Sequence, residues 1–210
     1  MRDTREAVLL IHGLWMNAFA MSYLAHVLRG ADFSPESLRY RSMRGTLPEH
    51  IEAMARRVAS LRAGVVHVVA HSLGGLVALR YLQGAPDARI GRCVVLGAPL
   101  SGAQIARSLA QRRAGRMLLG ASTAVLCADF DTRIDARACV GSIAGSRPFG
   151  LGCLVSNLAG PNDGVISVEE TMLPALADHL VLPVSHSGML ISPRVARQVV
   201  AFLRHGRFER

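Results

Sequence analysis

Val66-His67-Val68-Val69-Ala70-His71-Ser72-Leu73-Gly74-Gly75 is an apolar strand that runs without a spacer into a helix, with a serine at the turn. The valines favour an extended, buried chain. Ala70 and Gly74 stand two positions to either side of Ser72, where larger side chains would collide with neighbouring backbone. A turn built this way holds Ser72 in a strained conformation at a helix N-terminus, where the helix dipole favours developing negative charge. A helix-capping serine is the plainer use of the same residue.

Outward from this stretch, short apolar runs alternate with helical spacing, the signature of a mostly parallel sheet with helices on both faces. Ala7 to Ile11 is continuous and apolar, as a strand covered on both sides must be. Helical spacing follows from Ala18 to Leu28, a short strand is expected over Ser37 to Tyr40, and a helix over Glu49 to Leu61. Val65 to Ala70 is the strand before Ser72, and Leu73 to Leu82 the helix after it. Cys93 to Leu96 reads as a strand and Gly102 to Leu119 as mostly helical. Ala121 to Arg147 lacks periodicity and is expected to loop over one end of the sheet. Leu151 to Ser156 and His179 to Val184 complete the strands, and Arg194 to Arg204 is a closing amphipathic helix. No repeat or low-complexity linker divides residues 1–210, so a single α/β domain with about six strands is expected.

The 210 residues are 50% apolar and 19% charged, enough to fill a substantial core and too apolar for disorder. The formal net charge is +9 and lies entirely on arginine, since the chain contains no lysine. Such a field attracts anionic surfaces, and weak contact with an anionic membrane is compatible with it. The arginines are scattered and lack the aromatic interleaving of nucleic-acid recognition, so no nucleic-acid partner is expected. No Cys-x-x-Cys pair or zinc spacing links Cys93, Cys127, Cys139 and Cys153; Cys127 and Cys139 would pair only in an exported protein. Arg2 and Arg5 before an apolar run imitate a signal peptide, but Asp3 and Glu6 interrupt the basic end. With no apolar run long enough to span a bilayer, a cytoplasmic location is expected.

Ala70-His71-Ser72-Leu73-Gly74-Gly75 resembles the nucleophile elbow of bacterial lipases and esterases of the α/β-hydrolase superfamily, with Ala70 in place of the first glycine of G-x-S-x-G. Val8-Leu9-Leu10-Ile11-His12-Gly13-Leu14-Trp15 is similar to that superfamily's oxyanion strand and loop. The resemblance implies an α/β-hydrolase fold with a minimal cap. It also implies an oxyanion hole made by the backbone N–H groups of Leu14 and Leu73, with Trp15 replacing Leu14 if the loop is shifted by one. His12 is expected to brace the loop rather than to act as a base.

Asn162-Asp163-Gly164-Val165-Ile166-Ser167, after the predicted strand Leu151 to Ser156, resembles the N-D-G-V-V-S segment that carries the acid in lipase-like members. The superfamily's chain order is nucleophile, acid, histidine. It makes Ser72 the nucleophile, Asp163 the acid, and His186 in Leu182-Pro183-Val184-Ser185-His186-Ser187-Gly188-Met189 the base. His179 is the rival base, while His67 and His71 precede the nucleophile and stand in the wrong place. Asp129, Asp131 and Asp135 are weaker acids and show no EF-hand spacing that would hold a metal.

Val94-Val95-Leu96-Gly97-Ala98-Pro99-Leu100-Ser101-Gly102 is similar to the T-P-x-x-G-S stretch of lipases and protein-deacylating thioesterases. In the helix that follows, Ile105, Leu109, Met117 and Leu118 would line an acyl pocket or pack into the core. Arg107, Arg112, Arg113 and Arg116 would meet an anionic head group or face solvent. The resemblance thus implies hydrolysis of a small-molecule or lipid carboxylic ester, with neither metal nor organic cofactor. Acyl transfer and thioester cleavage use the same constellation, and a silent relative acting as a binding protein is the non-enzymatic alternative. Oligomeric state is open.

Overall fold

Every residue of Ala7–Ile11 (β1) and of Val66–His71 (β3) is buried, because helices cover both faces of these strands. The computed structural model describes residues 5–84, 86–127, 139–149, 158 and 160–210. The remaining strands are Ser34–Ser37 (β2), Ile90–Leu96 (β4), Cys139–Gly145 (β5) and Asp178–Leu182 (β6). They form a 6-stranded sheet in the order β2-β1-β3-β4-β5-β6, and every neighbouring pair is parallel. The chain therefore turns outward from β1 to β2, returns to β3 on the other side of β1, and proceeds outward to β6. That reversal opens a crevice beyond the C-terminal ends of β1 and β3, where ligands bind in sheets of this kind.

Side chains alternate between two cores. Leu9, Ile11, Val68, Ala70 and Val95 face Leu47–Ser60 (α2) and Leu73–Gln83 (α3). Val8, Leu10, Val69, Val94 and Leu96 face Ser22–Gly30 (α1) and the C-terminal helix Pro193–His205. Helix α2 starts with a capping box in which Thr46 and Glu49 satisfy each other's backbone N–H groups. The C-terminal helix starts on Ser192, whose hydroxyl accepts from Val195 N–H, and ends at Gly206 in the left-handed conformation. Among the described residues, three short helices lie between β4 and β5, Gln104–Ala110 (α4), Arg113–Leu119 (α5) and Thr123–Cys127 (α6), and the C-terminal helix is α7 here.

Three expectations need correction. The strand expected at Ser37 to Tyr40 lies earlier, at Ser34–Ser37, paired with β1. The helix expected over Gly102 to Leu119 breaks at Gln111 and Arg112 into α4 and α5, and Gly115 lets α5 press against the Leu109 carbonyl. The stretch Ala121 to Arg147 contains β5, a central strand rather than a loop. Its small residues hide it: a side chain at Gly141 would overlap the ring of Phe202, so α7 can approach the sheet only because position 141 is bare. The predicted strand Leu151 to Ser156 lies outside the described residues, as do Cys153, Asp129, Asp131 and Asp135.

Cys93, Cys127 and Cys139 are free thiols, so no bridge joins Cys127 to Cys139. Burial pushes the Cys93 thiol up to about 12, which leaves it inert as a nucleophile. Among the described residues, no helix is long and apolar enough to cross a membrane.

Candidate active site

Ser72 sits between the last residue of β3 and the first of α3, with φ 54° and ψ −122°. Few non-glycine residues tolerate that backbone, and its cost is held by the packing around it. Ser72 N–H donates to the Leu96 carbonyl at 2.9 Å, and the Ser72 carbonyl accepts from Gly75 N–H at 2.9 Å. Gly74 and Gly75 have no room for a side chain. A Cβ on Gly74 would stand 2.7 Å from the Ile11 and His12 carbonyl oxygens, and one on Gly75 would stand 2.5 Å from Ala98 Cβ. The small residues after the serine thus let α3 start directly against the ends of β1 and β4. Ser72 itself is partly exposed, so a ligand can reach it.

Asp163 and His186 come together. His186 Nδ1–H donates to Asp163 Oδ2 at 2.7 Å, with the aspartate fully buried and the histidine nearly so. A carboxylate only accepts, so this bond fixes the proton on Nδ1 and leaves Nε2 as the free base. The other oxygen, Asp163 Oδ1, accepts from the N–H groups of Val165 and Ile166 at 2.9 and 2.7 Å. The main chain adds His186 N–H donating to the Asp163 carbonyl at 2.9 Å. A buried carboxylate with this many donors is held still.

Gly97 brings the serine's strand to this pair. Its neighbour Leu96 receives Ser72 N–H, while a Cβ on Gly97 would lie 3.0 Å from Asp163 Oδ2 and 3.1 Å from His186 Nδ1. Gly97 has φ 54°, so both its conformation and its lack of a side chain are used. Among the described residues, no hydrogen bond joins Ser72 Oγ to Asp163 or His186. The Ser72 N–H bond to Leu96, next to Gly97, ties the serine's turn to the strand end that packs on this pair.

His71 is the participant that pattern reading passes over. It is fully buried, its Nε2–H donates to the His186 carbonyl at 3.1 Å, and the two rings lie 4.6 Å apart. Among the described residues its Nδ1 has no partner, and it faces Gly13, whose added Cβ would stand 3.0 Å away. Burial, and then the neighbouring His186, hold its pKa well below the ordinary 6.5, so it stays neutral. No sequence signal marks this contact, since the partner is a main-chain carbonyl 115 residues away.

The loop after β1 closes the other side. Gly13 packs on Ser72, where an added Cβ would lie 3.1 Å from Ser72 Cβ; Leu14 is partly buried, and Trp15 turns the chain with φ 59°. Leu73, the first residue of α3, is fully buried. His12 stacks on Tyr40 at 4.5 Å and accepts a hydrogen bond from the Tyr40 hydroxyl at its carbonyl, a bracing arrangement. His179 stands at the far end of β6 with Nε2 2.9 Å from Thr171 Oγ1, away from Asp163. Ile105 is buried and Leu109 packs partly on the core, whereas Met117 and Leu118 point outward. A cavity of about 690 Å³ lies along β2 between Arg29, Glu36, Arg39 and Arg57, and it touches none of these residues.

Residues 8–149 match a family model described as the alpha/beta hydrolase family. A search of curated proteins gives no match. Among solved structures, the mature form of the Bacillus licheniformis lipase BlEst2 superposes with a TM-score of 0.80 at 16% identity, covering 97% of this chain and 92% of that one. The carboxylesterase CesB of Bacillus subtilis gives 0.62 at 15% identity, over 96% of this chain and 84% of that one. A monoacylglycerol lipase of Paleococcus ferrophilus gives 0.63 at 15% identity, over 97% and 96%. At such identities the likeness is one of fold.

Proposed function

The chain belongs to the alpha/beta hydrolase family, and on that premise we propose that it is a serine hydrolase that cleaves carboxylic esters through an acyl-enzyme. The observation that carries the proposal is the strained Ser72 turn lying beside a buried aspartate–histidine pair whose free nitrogen is Nε2. Ser72 Oγ attacks the ester carbonyl carbon as His186 Nε2 takes the hydroxyl proton. Asp163 keeps the imidazole in the required tautomer and stabilises the imidazolium. The oxyanion that forms would be met by the N–H groups of Leu73, at the N-terminus of α3, and Leu14, in the loop packed on Ser72. Collapse expels the alcohol, which takes the proton from His186. Water, deprotonated by the same nitrogen, then frees the acid and restores Ser72.

The test is labelling with a fluorescent fluorophosphonate together with hydrolysis of p-nitrophenyl esters of increasing chain length. The expected result is labelling of the parent protein and not of Ser72→Ala, with turnover falling by about six orders of magnitude in that variant. Labelling that survives Ser72→Ala would assign a different nucleophile. Absence of both labelling and turnover in the parent would favour a binding protein on the same fold. The chain-length profile separates an esterase from a lipase.

A further inference from the structure

All strands run parallel, so the segments that leave their C-terminal ends emerge on the one edge that holds Ser72 and His186. Large apolar side chains stand out from that edge. Phe19 follows β1 and is 81% exposed, Met117 on α5 is 83% exposed, Phe149 follows β5 at 76%, and Ile191 follows β6 at 68%. They are held in place from behind. Trp15 Nε1–H donates to the Leu118 carbonyl at 3.0 Å, joining the loop after β1 to α5, and Ala121 N–H donates to the Met43 carbonyl at 3.1 Å, joining α5's exit to the loop after β2. Phe149 lies against Gly164, next to Asp163, where an added Cβ would meet its backbone.

The charge on this edge is mostly of one sign, Glu49 beside Arg41 and Glu169 beside Ser101 being exposed exceptions. Residues 12–22, 40–45, 111–121, 145–149 and 183–192 carry Arg41, Arg44, Arg112, Arg113, Arg116 and Arg147 and not one Asp or Glu. All six of these arginines are exposed. Apolar side chains offered to solvent among a majority of arginines match a surface whose interior is hydrocarbon and whose outer layer is anionic. We propose that this edge docks on an anionic lipid surface, with Phe19, Met117, Phe149 and Ile191 entering the boundary and the arginines meeting lipid phosphates. The proposal rests on the hydrolase reading only for its consequence, that Ser72 then opens toward the membrane.

The experiment uses Ser72→Ala, so that no lipid is turned over, in co-sedimentation with vesicles of phosphatidylcholine alone or mixed with phosphatidylglycerol. Binding to the mixed vesicles and weakening with salt are expected, with little on phosphatidylcholine. Phe19→Ser with Met117→Ser should lower the affinity by about tenfold or more. Arg44→Glu with Arg113→Glu should lower it by at least about fivefold per position on the anionic vesicles. Equal binding to both vesicle types, or variants that bind like their parent, would overturn the proposal. Retention on duplex DNA that exceeds vesicle binding and ignores Phe19→Ser and Met117→Ser would assign the arginines to nucleic acid instead. A soluble short-chain p-nitrophenyl ester, assayed with Ser72 intact, separates the two readings. Hydrolysis untouched by the four substitutions while vesicle binding is absent defeats the surface alone; vesicle binding without any hydrolysis defeats the catalytic reading alone.

Discussion

His67 and His71 stand four residues apart on the same face of β3, both buried, and they are treated in opposite ways by their surroundings. His67, near the N-terminal end of β3, uses both nitrogens: Nδ1 accepts from Arg92 N–H at 2.8 Å and Nε2–H donates to Glu6 at 3.0 Å. His71, at the C-terminal end, uses only Nε2 and leaves Nδ1 bare. A buried nitrogen without a partner costs on the order of 1–3 kcal/mol, so the two ends of one strand are held to different standards. The end that joins strands is fully satisfied. The end that carries Ser72 accepts a strained backbone and an orphaned acceptor, and both lie within the ring formed by Gly13, Ser72 and His186. Such concessions gather where chemistry is performed.

The largest test of this contrast is Asp163→Asn, which keeps the shape of the C-terminal end and reverses its hydrogen-bonding sense. The amide would donate to His186 and select the wrong tautomer, and kcat for a p-nitrophenyl ester should fall by about four orders of magnitude with thermal stability little changed. A fall of less than about tenfold would remove Asp163 from the proposed mechanism.

A sharper comparison exchanges each strand histidine for leucine. His71→Leu loses the tether to the His186 carbonyl and should lower kcat by about tenfold with KM steady, while His71→Gln, which can still donate from its amide, should recover most of that loss. His67→Leu should instead leave kcat alone and cost about 1–3 kcal/mol of stability in urea unfolding, because the Arg92 N–H would be buried without an acceptor. Equal effects of the two leucine variants on kcat would erase the distinction between the strand's ends.

The smallest effect expected is on acid stability. Burial lowers the pKa of His12, His50, His71 and His179 from the ordinary 6.5. Above pH 6.5 folded and unfolded chains bind these protons equally little, so stability is intact. As pH falls below 6.5 the unfolded chain takes up protons that the folded chain refuses, and stability is lost progressively. Tm followed from about pH 8 down to about pH 5 should show this decline, and His71→Gln should flatten it. A Tm that rises on acidification through this range would contradict the direction of all four shifts.

Much of this arrangement is legible in the amino acids. The valine run into Ala70-His71-Ser72-Leu73-Gly74 announces the turn because small residues stand at fixed spacing from the serine, although the groups that Gly74 makes room for come from the end of β1. Helix α2, expected from Glu49, starts two residues earlier at Leu47, where Thr46 and Glu49 form its capping box. What escapes is decided at a distance. Strand β5 lacks a strand's bulky alternation, since Gly141 yields its space to Phe202 from α7. Met117 and Leu118 read as core or pocket residues, with the core favoured, and only the break at Gln111 and Arg112 turns them outward. His71 is passed over because chain order disqualifies it as a base, while its actual contact is with a peptide carbonyl that has no sequence identity.

That contact also bears on the life of the chain before it is folded. His71 and His186 are 115 residues apart, and the His186 peptide is gripped at both ends, by the Asp163 carbonyl and by the His71 ring. Closing so long a loop is slow and entropically costly, and it is rewarded only once the intervening strands have paired. A nascent or partly assembled chain therefore carries Ser72 as an ordinary alcohol, with no base within reach. If Ser72 is the nucleophile proposed above, its reactivity arises only on completion of the fold.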